Sequence, residues 1–196
     1  MLYQKIISRI VRARSNPGSY CIMEHIINRI IDNGEYEMEL NPIIEQALVD
    51  IDFIERYQRL SDEYSAEKVP SEERLVYVDG DEVFEILSKL GFESSFDSRE
   101  KFFKIKEEHL GRYKFGFHIS LRDGNAELIW VLKEGDNVLL GLPWGIYSRL
   151  MINPDYRIKR PVYGTYDDLE HILEVAFEMY KDFKNAIGRL TDTRIV

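Results

Sequence analysis

The spacing of apolar residues changes along this chain, and that change limits the folds open to it. In the first half they recur every three to four positions. Ile22, Met23, Ile26, Ile27, Ile30 and Ile31 form one such stripe, closed by Asn33-Gly34 as a helix stop. Asn41 offers an N-cap with Pro42 at the first helical position. Ile44, Ala47, Leu48, Ile51 and Ile54 then predict a core-facing helix running on to Leu60 or Tyr64. The stretch 65–71, with Pro70 inside it, predicts a loop. Val83, Ile86, Leu87 and Leu90 predict a short helix over 81–90, ended by Gly91. Beyond that the period becomes two: Tyr113, Phe115, Phe117, Ile119 and Leu121 alternate with polar residues, the mark of a half-buried strand. Asp123-Gly124-Asn125 turns into a strand over 126–133, and Gly135-Asp136-Asn137 turns into another over 138–142. The segment 101–106 is expected to open this meander, 147–151 to form a short helix and 161–163 an edge strand. Thr165 with Asp168 makes a capping-box start for the strongest helix, through Leu169, Ile172, Ala176, Tyr180, Phe183 and Ile187.

The expected fold class is α+β: a helical N-terminal half, an antiparallel meander of three to five strands and a long C-terminal helix. At 196 residues, one domain over 1–196 is expected. The alternative division is a helical subdomain 1–64 and a sheet-plus-helix subdomain 80–196. The first fifteen residues, MLYQKIISRIVRARS, are amphipathic and free of acid. They read either as a first core helix or as a cleaved targeting segment.

Charge is distributed unevenly. Residues 21–100 carry 21 Asp/Glu against 7 Lys/Arg, residues 1–20 carry four bases and no acid, and residues 101–196 are close to neutral. A field of one sign steers oppositely charged partners. It argues against nucleic-acid binding by phosphate neutralisation and leaves open a basic protein partner or mimicry of nucleic acid. No apolar run is long enough to span a bilayer. The single Cys21 excludes an internal disulfide, fits a reducing compartment and lies beside an apolar stripe, as a buried thiol does.

No motif names a reaction. The histidines at 25, 109, 118 and 171 share no metal-ligand spacing, and no cofactor or metal is implied. His118 falls on the polar side of its strand beside Lys114 and Ser120. It is either a strand histidine or a base acting with Glu107 or Glu108. The adjacent acids Glu72-Glu73, Glu107-Glu108 and Asp167-Asp168 diverge rather than converge on one atom. Glu55/Arg59 and Asp52/Arg56 have helical four-residue spacing and are expected to pair. Glu35, Glu37 and Glu39, with Glu45 and Asp52, crowd one helix-loop-helix corner and are the candidate partner contacts. Trp144, in Gly141-Leu142-Pro143-Trp144-Gly145, is either an exposed interface anchor or a ring folded back over the sheet edge.

Two segments of the C-terminal half, ELIWVLKEGDNVLLGLPWG and PVYGTYDDLEHILEVAFEMYKDFKNAI, resemble bacterial immunity proteins of contact-dependent inhibition and related polymorphic toxin systems. That resemblance implies a cytoplasmic protein that binds and blocks a cognate toxin domain, often a nuclease; the acidic corner adds the expectation that this toxin presents a basic surface. The resemblance carries over no functional residue. A small-ligand or enzymatic site near His118 is the competing expectation.

Overall fold

The computed structural model describes residues 40–192, and these form an α+β fold. The expected helices over the first thirty residues, with Cys21 and His25, lie outside the described residues.

Helix α1 (Pro42–Asp50) begins as the sequence predicts. The Asn41 side-chain oxygen accepts a hydrogen bond from the Ile43 amide at 3.0 Å, and Pro42 occupies the first turn. The helix does not run on to Leu60. It breaks at Asp52, whose φ of 53° and ψ of 41° are left-handed, and α2 (Phe53–Glu63) starts anew. Burial explains the break. Ile51 and Phe53 are both buried, yet residues two apart on one continuous helix point to nearly opposite sides. The kink shifts the phase of the stripe, so Phe53, Tyr57 and Leu60 become the core residues and Ile54 is only half-buried.

A 3-10 turn (Ser71–Glu73) leads into α3 (Gly80–Lys89), whose cap is the Asp79 carboxylate accepting from the Asp81 amide. The strands are β1 (Ser94–Asp97), β2 (Phe102–Ile105), β3 (Glu108–Leu110), β4 (Tyr113–Arg122), β5 (Asn125–Glu134) and β6 (Asn137–Leu140). They make one antiparallel sheet in the order β1-β2-β4-β5-β6, with β3 pairing the start of β4 beyond the end of β2. The sheet is larger than the alternation predicts. Neither β1 nor β3 alternates in burial, because each sits at an edge. Asp123 and Gly124, both at positive φ, form the two-residue turn joining β4 to β5. The 161–163 segment makes only isolated contact with the sheet, at Val162 opposite Asn125.

Helix α4 (Trp144–Met151) follows Pro143, and α5 (Tyr166–Asp192) closes the fold. The Thr165 hydroxyl accepts from the Asp168 amide, and the Asp168 carboxylate accepts from the amides of Gly164 and Thr165, which completes the expected capping box. Gly164 has no room for a side chain, since a Cβ there would lie 2.8 Å from the Glu73 carbonyl oxygen.

One face of the sheet, through Phe103, Phe115, Phe117, Ile119, Leu128, Trp130 and Leu132, packs beneath the helices. A single apolar cluster runs from Ile44 on α1 to Ile187 on α5. Trp130 stacks on Phe183 at 4.9 Å and meets Phe53 edge-on at 5.6 Å, so α5 and α2 share one ring of the sheet. Among the described residues no helix is long and apolar enough to cross a membrane.

Candidate functional site

The outer face of the sheet is built from the even-numbered residues of β4 and their cross-strand partners. Register places Lys104 of β2 and Ile129 of β5 on either side of His118. The imidazole stacks on Phe102 with centroids 4.4 Å apart and planes 15° from parallel. Ion pairs flank it: Asp97 with Lys104 at 2.7 Å, and Glu107 with Lys133 at 2.9 Å. Val131 is buried on this face, and a Cβ on Gly116, its cross-strand neighbour, would stand 3.5 Å from it.

The electrostatics of this face follow from the same contacts. Burial, then the ammonium groups of Lys104 and Lys133, holds the His118 pKa down at about 4. The Lys104 hydrogen bond, with the amides of Glu100 and Arg99, holds Asp97 down at about 2. The Lys133 hydrogen bond lowers Glu107. The two carboxylates considered as partners for His118 are separated by the pleat. Glu107 stays on the histidine's side but is engaged by Lys133, while Glu108 pairs with Lys184 of α5 at 2.6 Å. His118 is therefore a neutral, weakly basic ring, and no carboxylate hydrogen-bonds to it among the described residues.

The acidic corner is described only in part. Glu45 is exposed on α1 and Asp52 is exposed at the bend, whereas Glu35, Glu37 and Glu39 lie outside the described residues. Asp52 borders a polar cavity of about 260 Å3 together with Asp50, Arg56 and Asp182. The expected helical pair with Arg56 does not form there. Arg56 instead donates to Asp182 of α5 at 2.6 Å and to the Ile51 carbonyl, tying the bend to the closing helix. A second, open groove of about 610 Å3 lies between Phe84, Phe92 and Ser94, and neither space contains His118.

Trp144 is not an exposed anchor. It is 1% exposed, packed edge-on against Phe53, Tyr57 and Trp130 and parallel to Phe117. The segment before it is pinned inward as well: the Tyr147 hydroxyl donates to the Trp130 carbonyl and accepts from the Leu142 amide. Burying so large a ring inside the aromatic cluster outweighs displaying it. His171 is only half-exposed, its Nδ1 2.6 Å from the Tyr64 hydroxyl.

The structure exposes a residue that the sequence reading passed over. Tyr77, within the 74–79 loop, is 90% exposed, with Val76 beside it at 42%. In the sequence Leu75-Val76-Tyr77-Val78 resembles a short buried strand, and only the absence of a partner strand distinguishes it. The available signal was its setting, an apolar quartet inside the acid-rich run SEERLVYVDGDE.

No family model, curated protein or solved structure matches this chain.

Proposed function

We propose that this chain is a non-catalytic binding protein that neutralises a basic toxin domain in the cytoplasm of a bacterium, as the immunity proteins that its C-terminal half resembles do. A nuclease is the favoured target, because an enzyme that grips phosphates must present a cationic surface. The observation that carries this reading is the set of unengaged carboxylates on the helical part. Glu45, Glu55, Glu73, Asp81 and Glu82 enter no ion pair among the described residues. Acids left without bases keep their long-range field and speed encounter with a cationic partner. The competing site near His118 has less support: a base held at about pH 4 with no carboxylate bonded to it is poorly matched to proton transfer near neutrality.

The test is association kinetics with a toxin domain captured by the full chain from its native host, at two salt concentrations. Replacing Glu35, Glu37, Glu39 and Glu45 with Gln, together with Asp52→Asn, is expected to slow association about tenfold at low salt and to flatten its salt dependence. An unchanged rate and salt slope removes the acidic corner from the interface. A toxin that the unaltered chain fails to inhibit removes the reading itself.

A further inference from the structure

The loop that displays Tyr77 is held from both ends. The Leu75 amide donates to the Tyr163 carbonyl at 3.2 Å, and the Asp79 amide donates to the Tyr166 hydroxyl at 2.7 Å. Arg74, the only base between Lys68 and Lys89, is turned back on the fold: its Nε donates to the Val69 carbonyl and its stem packs against Gly124. An almost fully exposed ring thus stands on a backbone fixed by the two segments around α5's start. Exposed Tyr and Trp rings on fixed backbone bind at low entropic cost, since little remains to be ordered.

The rim fixes the kind of partner. Glu72, Glu73, Asp79, Asp81 and Glu82 flank Val76 and Tyr77 in sequence, and all five are exposed. A second copy of this chain, or an anionic membrane, would meet this rim with charge of the same sign. A cationic protein surface meets it with the opposite sign, and the face of a Tyr ring attracts Arg and Lys side chains.

We propose that Val76 and Tyr77 are the contact point for a basic surface of a partner protein, with an Arg or Lys laid on the Tyr77 ring and the surrounding carboxylates pairing its neighbours. This rests on the reading that the partner is basic, and it moves the centre of the interface from the Glu45–Asp52 corner to the loop before α3.

The probe is a fluorescently labelled deca-arginine peptide, with a Gly-Ser peptide of equal length as control. Both are titrated into the full chain at low salt, and backbone amide shifts are recorded in parallel. The expected shift changes centre on residues 72–82. Tyr77→Ala is expected to weaken binding about fivefold, while Tyr77→Phe retains it because the ring face remains. Tyr77 is too exposed for either change to unfold the protein, which an unchanged urea midpoint checks. If Tyr77→Ala binds as the parent does, or the shifts centre on Glu45 and Asp52, the Tyr77 site is overturned and the basic-partner reading survives. If the arginine peptide binds no better than the Gly-Ser peptide, both are overturned.

Discussion

The six strands and the helices before them use carboxylates in opposite ways. Between Ser94 and Glu134, five of seven acids reach a Lys or Arg: Asp97, Glu107, Glu108, Glu127 and Glu134. Between residues 41 and 92, thirteen acids face five bases, and only Glu67 and Glu85 reach a Lys or Arg among the described residues. Topology produces the difference. A sheet sets neighbouring strands side by side, so Lys104 can meet Asp97 seven residues back and Lys133 can meet Glu107 twenty-six residues back on one face. A helix offers its acids partners three or four residues away; here Glu45, Asp81 and Glu82 have no base at those positions, and Arg56, four residues from Asp52, is drawn off to Asp182 instead. The acids of the sheet are mostly paired, Asp97 and Glu107 to lysines of neighbouring strands and Glu108 and Glu127 to Lys184 and Arg160 outside it. The helices keep their field, so the count of charges misleads and their pairing decides which surface a partner senses from a distance.

If the two regions differ in charge but share one core, removing the ring that joins them should unfold both. Phe53 on α2 touches Trp130 of β5, Trp144 and Tyr147 and is fully buried. Phe53→Ala is expected to lose about 3–5 kcal/mol. The loss should appear as one cooperative transition at lower urea, recorded identically by tryptophan fluorescence and far-ultraviolet circular dichroism. Two separated transitions would show that the acidic helices fold as an independent unit.

The next largest effect lies on the sheet's outer face. Burial, then Lys104 and Lys133, holds His118 at about pH 4 in the folded chain against about 6.5 when unfolded, with Glu107 and Asp97 pulling weakly the other way. A depressed folded value means that the unfolded state takes the proton first. The stability from neutral His118 is therefore complete above about pH 6.5 and is lost as pH falls towards 4, by roughly 3 kcal/mol in all. His118→Gln should be less pH-dependent than the parent across that window. The readout is the difference between their urea midpoints at pH 7, 5.5 and 4.5, which removes the carboxylates common to both. Parallel curves would show that neither burial nor the lysines hold the imidazole neutral and that the sheet face is electrostatically idle.

Much of this architecture is legible in the residues. The Asn41-Pro42 start, the alternation through β4 and the Thr165–Asp168 box each declare themselves, because each depends on side chains within a few positions. What stays illegible is set by distant contact. Nothing local tells that Arg56 prefers Asp182, 126 positions away, to Asp52 four positions back. Nothing local says that Trp144 faces Phe117 rather than solvent, or that Val76 and Tyr77 have no strand to cover them. The break at Asp52 was within reach: Ile51 and Phe53 cannot both face the core on one straight helix. The stripe through Ile51 and Ile54 is satisfied without Phe53, so the periodicity alone does not demand the break.

Asp52 offers the smallest and sharpest test of the contrast between regions. It sits at φ 53°, where a residue with a Cβ is disfavoured and glycine is not. Its side chain caps nothing at the start of α2, and Arg56, its expected partner, is committed to Asp182. By fold alone, glycine is the better residue here, and Asp52→Gly should raise stability by about 0.5–1 kcal/mol, net of the added freedom of the unfolded chain. The measurement is the urea midpoint at neutral pH, with Asp52→Asn as companion, since Asn tolerates the left-handed region and removes the charge alone. A rise for Gly with little change for Asn would mean that the chain carries this acid against its own stability, as expected if the helical part's charge serves a partner. A fall for both would show the carboxylate bracing the α1–α2 bend. At least one of the acids treated as free would then belong to the fold, and the division between a sheet whose acids are mostly paired and an unengaged helical surface would narrow accordingly.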